Sequence, residues 1–158
     1  MKIMFVCTGN ICRSAMAEGI FRKIVKDHGK EDKIQVYSCG TYADTGDFAT
    51  EEAVSAVRKY GVDITQHRAT NVREANVEKM DFVFCATYRH KQMILALYPF
   101  MEGKVYTIKE YANAGKEKGI DIADPWGCSY EVYTRCAEEI KENLEKIYEQ
   151  MEEKGLTK

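Results

Sequence analysis

Residues 7–14, Cys-Thr-Gly-Asn-Ile-Cys-Arg-Ser, place two thiols, a glycine, an amide, a guanidinium and a hydroxyl within eight positions. Three chemistries use such a set: a metal clip, a redox pair, or the cradle of a reactive thiolate. A structural zinc site takes four Cys or His ligands, and no second closely spaced Cys or His pair completes one here. A Walker-type nucleotide loop fails as well, because no lysine follows the glycine. Phosphoryl transfer fits better. A loop between a strand and a helix can turn successive main-chain N–H groups inward, and the helix dipole adds to that anion-binding nest. The same field lowers the pKa of a cysteine at its centre, which makes Cys7 the expected thiolate nucleophile. The amides of Thr8, Gly9, Asn10, Ile11, Cys12 and Arg13 would bind phosphate oxygens. The planar fork of Arg13 would follow charge as it spreads over the phosphoryl group. Gly9 is expected to take backbone twists closed to other residues. Ser14 is placed to hydrogen-bond the thiolate, and Asn10 to brace the loop from within.

Such a loop needs a strand before it and a helix after it, and the pattern supplies both. Lys2–Cys7 is a short apolar run with turn residues behind it, and Met16, Ile20 and Ile24 then recur at helical spacing until Gly29. Residues 33–39 alternate like a second strand, 51–60 carry helical spacing closed by Gly61, and 71–79 suit a short helix. Residues 81–85 and 105–108 are further strand candidates, with a helix over 88–98 stopped by Pro99. The stripe Val132, Cys136, Ile140, Leu144, Ile147 and Met151 predicts one long core-facing helix from 129 to 151. Alternating strands and helices predict a single α/β domain over 1–158, with a four-stranded parallel sheet covered on both faces. Ligands of such sheets bind outside the carboxyl ends of the strands, where residues 7–14 lie.

Composition narrows the class. A net charge of −2 gives no basic excess for non-specific nucleic-acid binding. No apolar run is long enough to span a bilayer, and the opening residues are too short for a signal peptide, so a cytoplasmic chain without a membrane partner is expected. Of the six cysteines, Cys39, Cys85 and Cys136 sit in apolar runs and read as buried hydrophobes. His28 and His90 read as surface residues. A monomer is expected.

Residues 7–18, CTGNICRSAMAE, closely resemble the low-molecular-weight protein tyrosine phosphatases, and the resemblance extends along nearly the whole chain. Residues 38–41 (SCGT) are similar to the segment after that family's second strand, and 61–69 (GVDITQHRA) to a connection bearing a histidine. Asp124-Pro125-Trp126 resembles the family's Asp-Pro-aromatic motif. The resemblance implies the flavodoxin-like family fold and hydrolysis of phosphotyrosine in proteins, or of small aryl phosphates, through a phosphocysteine. It makes Asp124 the general acid and then base, and it needs no metal or cofactor. Asp44, Asp47 and Asp121 are the rival carboxylates. His67 would give the loop a supporting hydrogen bond, and Trp126 and Tyr42 would wall the substrate ring. Cys12 would trap an oxidised Cys7 as a reversible disulfide.

The chain departs from the family pattern in three places. Ala15 stands where proline is usual, residues 85–93 (CATYRHKQM) replace a Met-Asp and a later Asn, and the 41–50 loop lacks a proline-rich entry. Related arginine phosphatases carry threonine at the position of Ile11, so an apolar Ile11 favours phosphotyrosine over phosphoarginine. Similar arsenate reductases use two more cysteines near the third strand, where only Cys85 lies. A thiol redox sensor or a phosphate-binding module without turnover is the reading from another class, and neither would need the proton donor Asp124.

Overall fold

A computed structural model describes residues 1–114 and 120–158. Four parallel strands form one sheet in the order β2-β1-β3-β4, with β1 at Lys2–Cys7, β2 at Gln35–Gly40, β3 at Phe82–Cys85 and β4 at Val105–Thr107. The helices are α1 (Arg13–Asp27), α2 (Glu51–Arg58), α3 (Tyr88–Leu97), α4 (Ile108–Ala112) and α5 (Tyr130–Glu153).

Strand periodicity divides the core in two. Ile3 and Phe5 of β1 join Phe21 of α1, Val57 of α2 and Ile140, Leu144 and Ile147 of α5 on one face. Met4 and Val6 join Val83, Cys85, Ile94 of α3, Val72 and Met101 on the other. Alternate side chains of a strand point to opposite faces, so one short apolar run feeds both layers. Helix ends follow their capping chemistry. Gly61, at φ 75, donates to the Arg58 carbonyl while Val62 donates to Val57, a Schellman-type closure of α2.

The structure moves several predicted boundaries. Lys33 and Ile34 are held in a turn by the Lys30 carbonyl, so β2 starts later and runs on to Gly40. The helix expected over 71–79 is two 3-10 turns, Val72–Glu74 and Val77–Lys79, separated by a left-handed Asn76 at φ 55. The last strand stops at Thr107, whose side chain caps α4, a helix too short to show periodicity. Val132 is only half-buried, and Tyr133 occupies the core position beside it.

The strand order fixes where a site can form. The chain leaves β1 toward β2 on one side and later returns to β3 on the other, so the topological switch point lies between β1 and β3. The loop after β1 and the turn after β3 face each other there.

Candidate active site

The loop that joins β1 to α1 is held open by buried bonds rather than closed on itself. Asn10 is fully buried and takes a left-handed φ of 57. Its Nδ2 donates to Ser14 Oγ (2.8 Å) and Ser38 Oγ (2.9 Å), and its Oδ1 accepts the Thr70 N–H (2.9 Å). Its carbonyl accepts from His67 Nε2 at 2.6 Å, the supporting bond expected of that histidine. The left-handed residue is therefore Asn10, and Gly9 is not among the positive-φ glycines, contrary to expectation. An asparagine tolerates this conformation because its short amide bonds locally. Gly40 closes the base of the cradle: a Cβ there would meet the Thr8 carbonyl at 2.4 Å and the Asn10 nitrogen at 2.9 Å.

The result is a nest of donors. Among the described residues the main-chain N–H groups of Thr8 to Cys12 donate to no protein acceptor. Helix α1 begins without a side-chain cap and with no acidic residue in its first turn, so the positive end of its dipole is unopposed. Cys7, 2% exposed, sits at the base of this nest with its Sγ 2.9 Å from Ser14 Oγ. Ser14 accepts from Asn10, and its one hydroxyl proton is shared between the sulfur at 2.9 Å and the more distant Cys39 carbonyl at 3.4 Å.

Arg13 lies over the nest. Its Nη1 donates to the Ile122 carbonyl at 2.9 Å, and its Nη2 is 3.5 Å from Asp124 Oδ2. Its Nε is buried without a protein partner, a donor available to a bound anion. Asp124 also makes a local turn, its Oδ1 accepting the Trp126 N–H at 3.1 Å. That turn leaves Oδ2 facing Arg13.

A cavity of about 210 Å³ is lined by Cys7, Thr8, Gly9, Ile11, Cys12, Arg13, Asp124 and Trp126. Asp124 is the one carboxylate in that lining. Asp44 and Asp47 are absent from it, and Asp121 instead accepts the Tyr88 N–H at 2.8 Å. Trp126 lines the cavity. Tyr42 does not: its main chain is tied to the Thr8 carbonyl, and its side chain is exposed outside the lining. Asn10 and Ser14 lie beneath the cavity as braces. A larger groove of about 520 Å³, lined by Glu18, Arg22, Lys26 and His67 among others, contains no cysteine.

Cys12 Sγ is 3.1 Å from the Tyr133 hydroxyl, and all six cysteines are free thiols. Burial pushes the Cys12 thiol up, while the Tyr133 and Thr50 hydroxyls pull part of the way back. Burial likewise raises Cys136 to about 12, and it raises Cys39 and Cys85.

His90 is the residue that sequence reasoning misplaced. It is buried in the first turn of α3, just after β3, with Nε2 2.8 Å from Thr8 Oγ1. The switch-point rule was the signal that could have found it, since the start of α3 faces the nest. Ser38 and Thr70, which hold Asn10, had no comparable signal.

This arrangement is that of a phosphoryl-transfer cradle, and the likeness to known proteins agrees. The sequence model of the family described as low molecular weight phosphotyrosine protein phosphatase matches residues 2–157. A protein-arginine-phosphatase of Bacillus subtilis (strain 168) is 34% identical over 151 residues, 96% of this chain and 97% of that protein. The low molecular weight protein-tyrosine-phosphatase PtpB of Staphylococcus aureus is 32% identical over 140 residues, 89% of this chain and 91% of that one. Among solved structures, the low molecular weight protein tyrosine phosphatase from T. tengcongensis has a TM-score of 0.87 at 40% identity, covering 95% of this chain and 99% of its own. The chain belongs to the low molecular weight phosphotyrosine protein phosphatase family, and it is an enzyme of the phosphatase class.

Proposed function

We propose that the enzyme hydrolyses phosphotyrosine in proteins, and small aryl phosphates, through a phosphocysteine on Cys7. The observation that carries this reading is the cavity that brings Cys7, Arg13 and Asp124 together over the unpaired amides of Thr8 to Cys12. Cys7 Sγ forms a bond to phosphorus as the bond to the phenol oxygen breaks, and Asp124 gives its proton to that oxygen. The resulting Asp124 carboxylate then takes a proton from water, whose oxygen attacks phosphorus. The S–P bond breaks with its electron pair returning to Cys7, and inorganic phosphate leaves. One carboxyl thus serves as acid and then base, and the covalent intermediate divides one hard displacement into two easier ones. Arg13 and the amides hold the charge that spreads over the phosphoryl oxygens. Ile11 gives the cavity an apolar side beside Trp126, which suits a planar ring. The substrate would approach a cytoplasmic monomer. Cys12 is the partner that would convert a sulfenic acid on Cys7 into a disulfide with loss of water.

Phosphoarginine is the second reading. A related protein-arginine-phosphatase is 34% identical to this chain, and the YwlE arginine phosphatase, solved with a phosphorylated active-site serine, has a TM-score of 0.90 at 33% identity over the full length of both chains. The test is metal-free phosphate release from matched phosphotyrosine, phosphoarginine and phosphoserine peptides by wild type, Cys7→Ser and Asp124→Asn. Hydrolysis of phosphotyrosine alone, lost in the first variant and reduced in the second, is expected. Preference for phosphoarginine would overturn the Ile11 argument and keep the loop chemistry. Release from none of the three would sink the phosphatase reading.

A further inference from the structure

The contact between Thr8 and His90 joins the two loops of the switch point across 82 positions of sequence, at 2.8 Å between Thr8 Oγ1 and His90 Nε2. The other ring nitrogen is committed. His90 Nδ1 accepts the Thr87 main-chain N–H at 3.2 Å, with Thr87 Oγ1 2.9 Å away, in the capping box that starts α3. An imidazole that accepts at Nδ1 carries its proton on Nε2 when neutral. The ring is neutral: it is 5% exposed, and burial first, with the Arg13 guanidinium second, lowers it to about 4 against the opposing pull of Asp121 and Asp124. His90 therefore donates and Thr8 Oγ1 accepts. The Thr8 proton must then go elsewhere. Among the described residues Thr8 Oγ1 has no other protein partner, and Thr8 lines the cavity beside Cys7 and Arg13.

We propose that His90 is a positioning residue that fixes the Thr8 hydroxyl as a side-chain hydrogen-bond donor to the bound phosphoryl group. A threonine hydroxyl rotates freely and can donate or accept. Occupying its acceptor side with a buried N–H removes half of that freedom and turns the proton toward the incoming anion. The cradle then has a donor on its β3 side that complements the main-chain amides and Arg13. The inference rests on the phosphate-binding part of the proposed function, not on turnover.

The experiment measures inorganic phosphate affinity by calorimetry, and p-nitrophenyl phosphate turnover, for wild type, Thr8→Val, His90→Ala, His90→Gln and the Thr8→Val/His90→Ala double variant. Thermal melts accompany each. Thr8→Val and His90→Ala are each expected to weaken phosphate binding about fivefold to tenfold, the worth of one net hydrogen bond. His90→Gln, whose amide can donate near the position of Nε2, is expected to recover wild-type affinity to within about twofold. The double variant should bind phosphate no more weakly than Thr8→Val alone, since His90 acts through Thr8. Unchanged affinity in Thr8→Val, or an undiminished effect of His90→Ala when Thr8 is already valine, overturns the proposal. If His90→Ala does not fold, Thr8→Val and His90→Gln decide the matter alone. Wild-type phosphate binding without turnover would sink the phosphatase reading and leave the pair standing. No wild-type phosphate binding would sink both.

Discussion

The two halves of the site are built to opposite specifications. In the cradle, Cys7, Asn10, Arg13 and Ser14 are between 0% and 5% exposed, and Asn10 alone makes four hydrogen bonds that fix the loop. In the segment before α5, the Asp124 side chain is 52% exposed and Trp126 is 65% exposed. That segment is pinned upstream by three contacts: Asp121 to the Tyr88 N–H, the Ile122 N–H to the Ala86 carbonyl, and the Ile122 carbonyl to Arg13. The difference matches the tasks proposed for them. Donors that stabilise developing charge must already be oriented, because reorganising them during the reaction forfeits their value. A group that delivers a proton must meet a leaving oxygen that arrives from solvent, so it stands at the rim.

The cradle should fail hardest. Cys7→Ser is expected to lower turnover of a phosphotyrosine peptide by about 10⁴-fold or more, as removal of a nucleophile does elsewhere. Retention of even a tenth of the activity in a steady-state assay would remove Cys7 as the nucleophile. Arg13→Lys should cost about 10³-fold in kcat/KM, because lysine keeps the charge and loses the bidentate fork. Asp124→Asn should cost about 10²-fold with a phosphotyrosine peptide. The loss should shrink for p-nitrophenyl phosphate, whose leaving group needs less help. Equal losses with both substrates would contradict a proton-donor role.

The cradle's buried polar wall also predicts a pH dependence. His90 goes from about 6.5 in the unfolded chain to about 4 in the folded one. Between those values the unfolded chain binds a proton that the folded chain refuses, so stability falls as pH falls. The contribution is fully present above about pH 6.5 and lost below about pH 4, with a span of about 3 kcal/mol. The charges facing the ring are Arg13 on α1 and Asp121 and Asp124 on the segment before α5. Urea unfolding from pH 7.5 to 4.5, compared with His90→Gln, isolates the effect from the other titrating groups. Parallel pH profiles for the two proteins would refute the buried neutral histidine.

Legibility in the sequence followed the same division. Residues 7–14 carry their chemistry contiguously, and apolar periodicity outlined β1, α1 and α5, so the cradle and its supports could be read directly. Asp124 was visible only through a motif, since an aspartate before proline is equally a turn residue, and here it both makes the turn and lines the cavity. What escaped depends on distant parts of the chain. His90 looks like a polar residue in a short helix, and only the docking of α3 on β3 buries it against Thr8. The left-handed position fell to Asn10 instead of Gly9 because Ser38, Thr70 and His67 converge on that asparagine, and no local pattern announces such a convergence. Tyr42 had the right residue type for a wall, but the bond from its main chain to the Thr8 carbonyl fixes the backbone of a loop whose course composition does not specify.

The smallest expected effect tests whether the halves are separable. Among the described residues Asp121 makes no hydrogen bond to the nest, yet its Oδ1 accepts the Tyr88 N–H at the start of α3 and so ties the segment that bears Asp124 to the β3 side of the site. A carboxylate hydrogen-bonded at a helix N-terminus is worth about 1–2 kcal/mol. Asp121→Ala should let the segment drift and lower kcat for a phosphotyrosine peptide about fivefold to tenfold. Inorganic phosphate affinity should stay within about twofold of wild type, because the bonds from Asn10 to Ser14, Ser38, Thr70 and His67 that hold the amides lie outside that segment. Rapid-quench measurement of phosphoenzyme formation alongside phosphate calorimetry separates the two. Loss of phosphate affinity in proportion to kcat would mean that the acid's segment also shapes the cradle, and that one cooperative unit holds both.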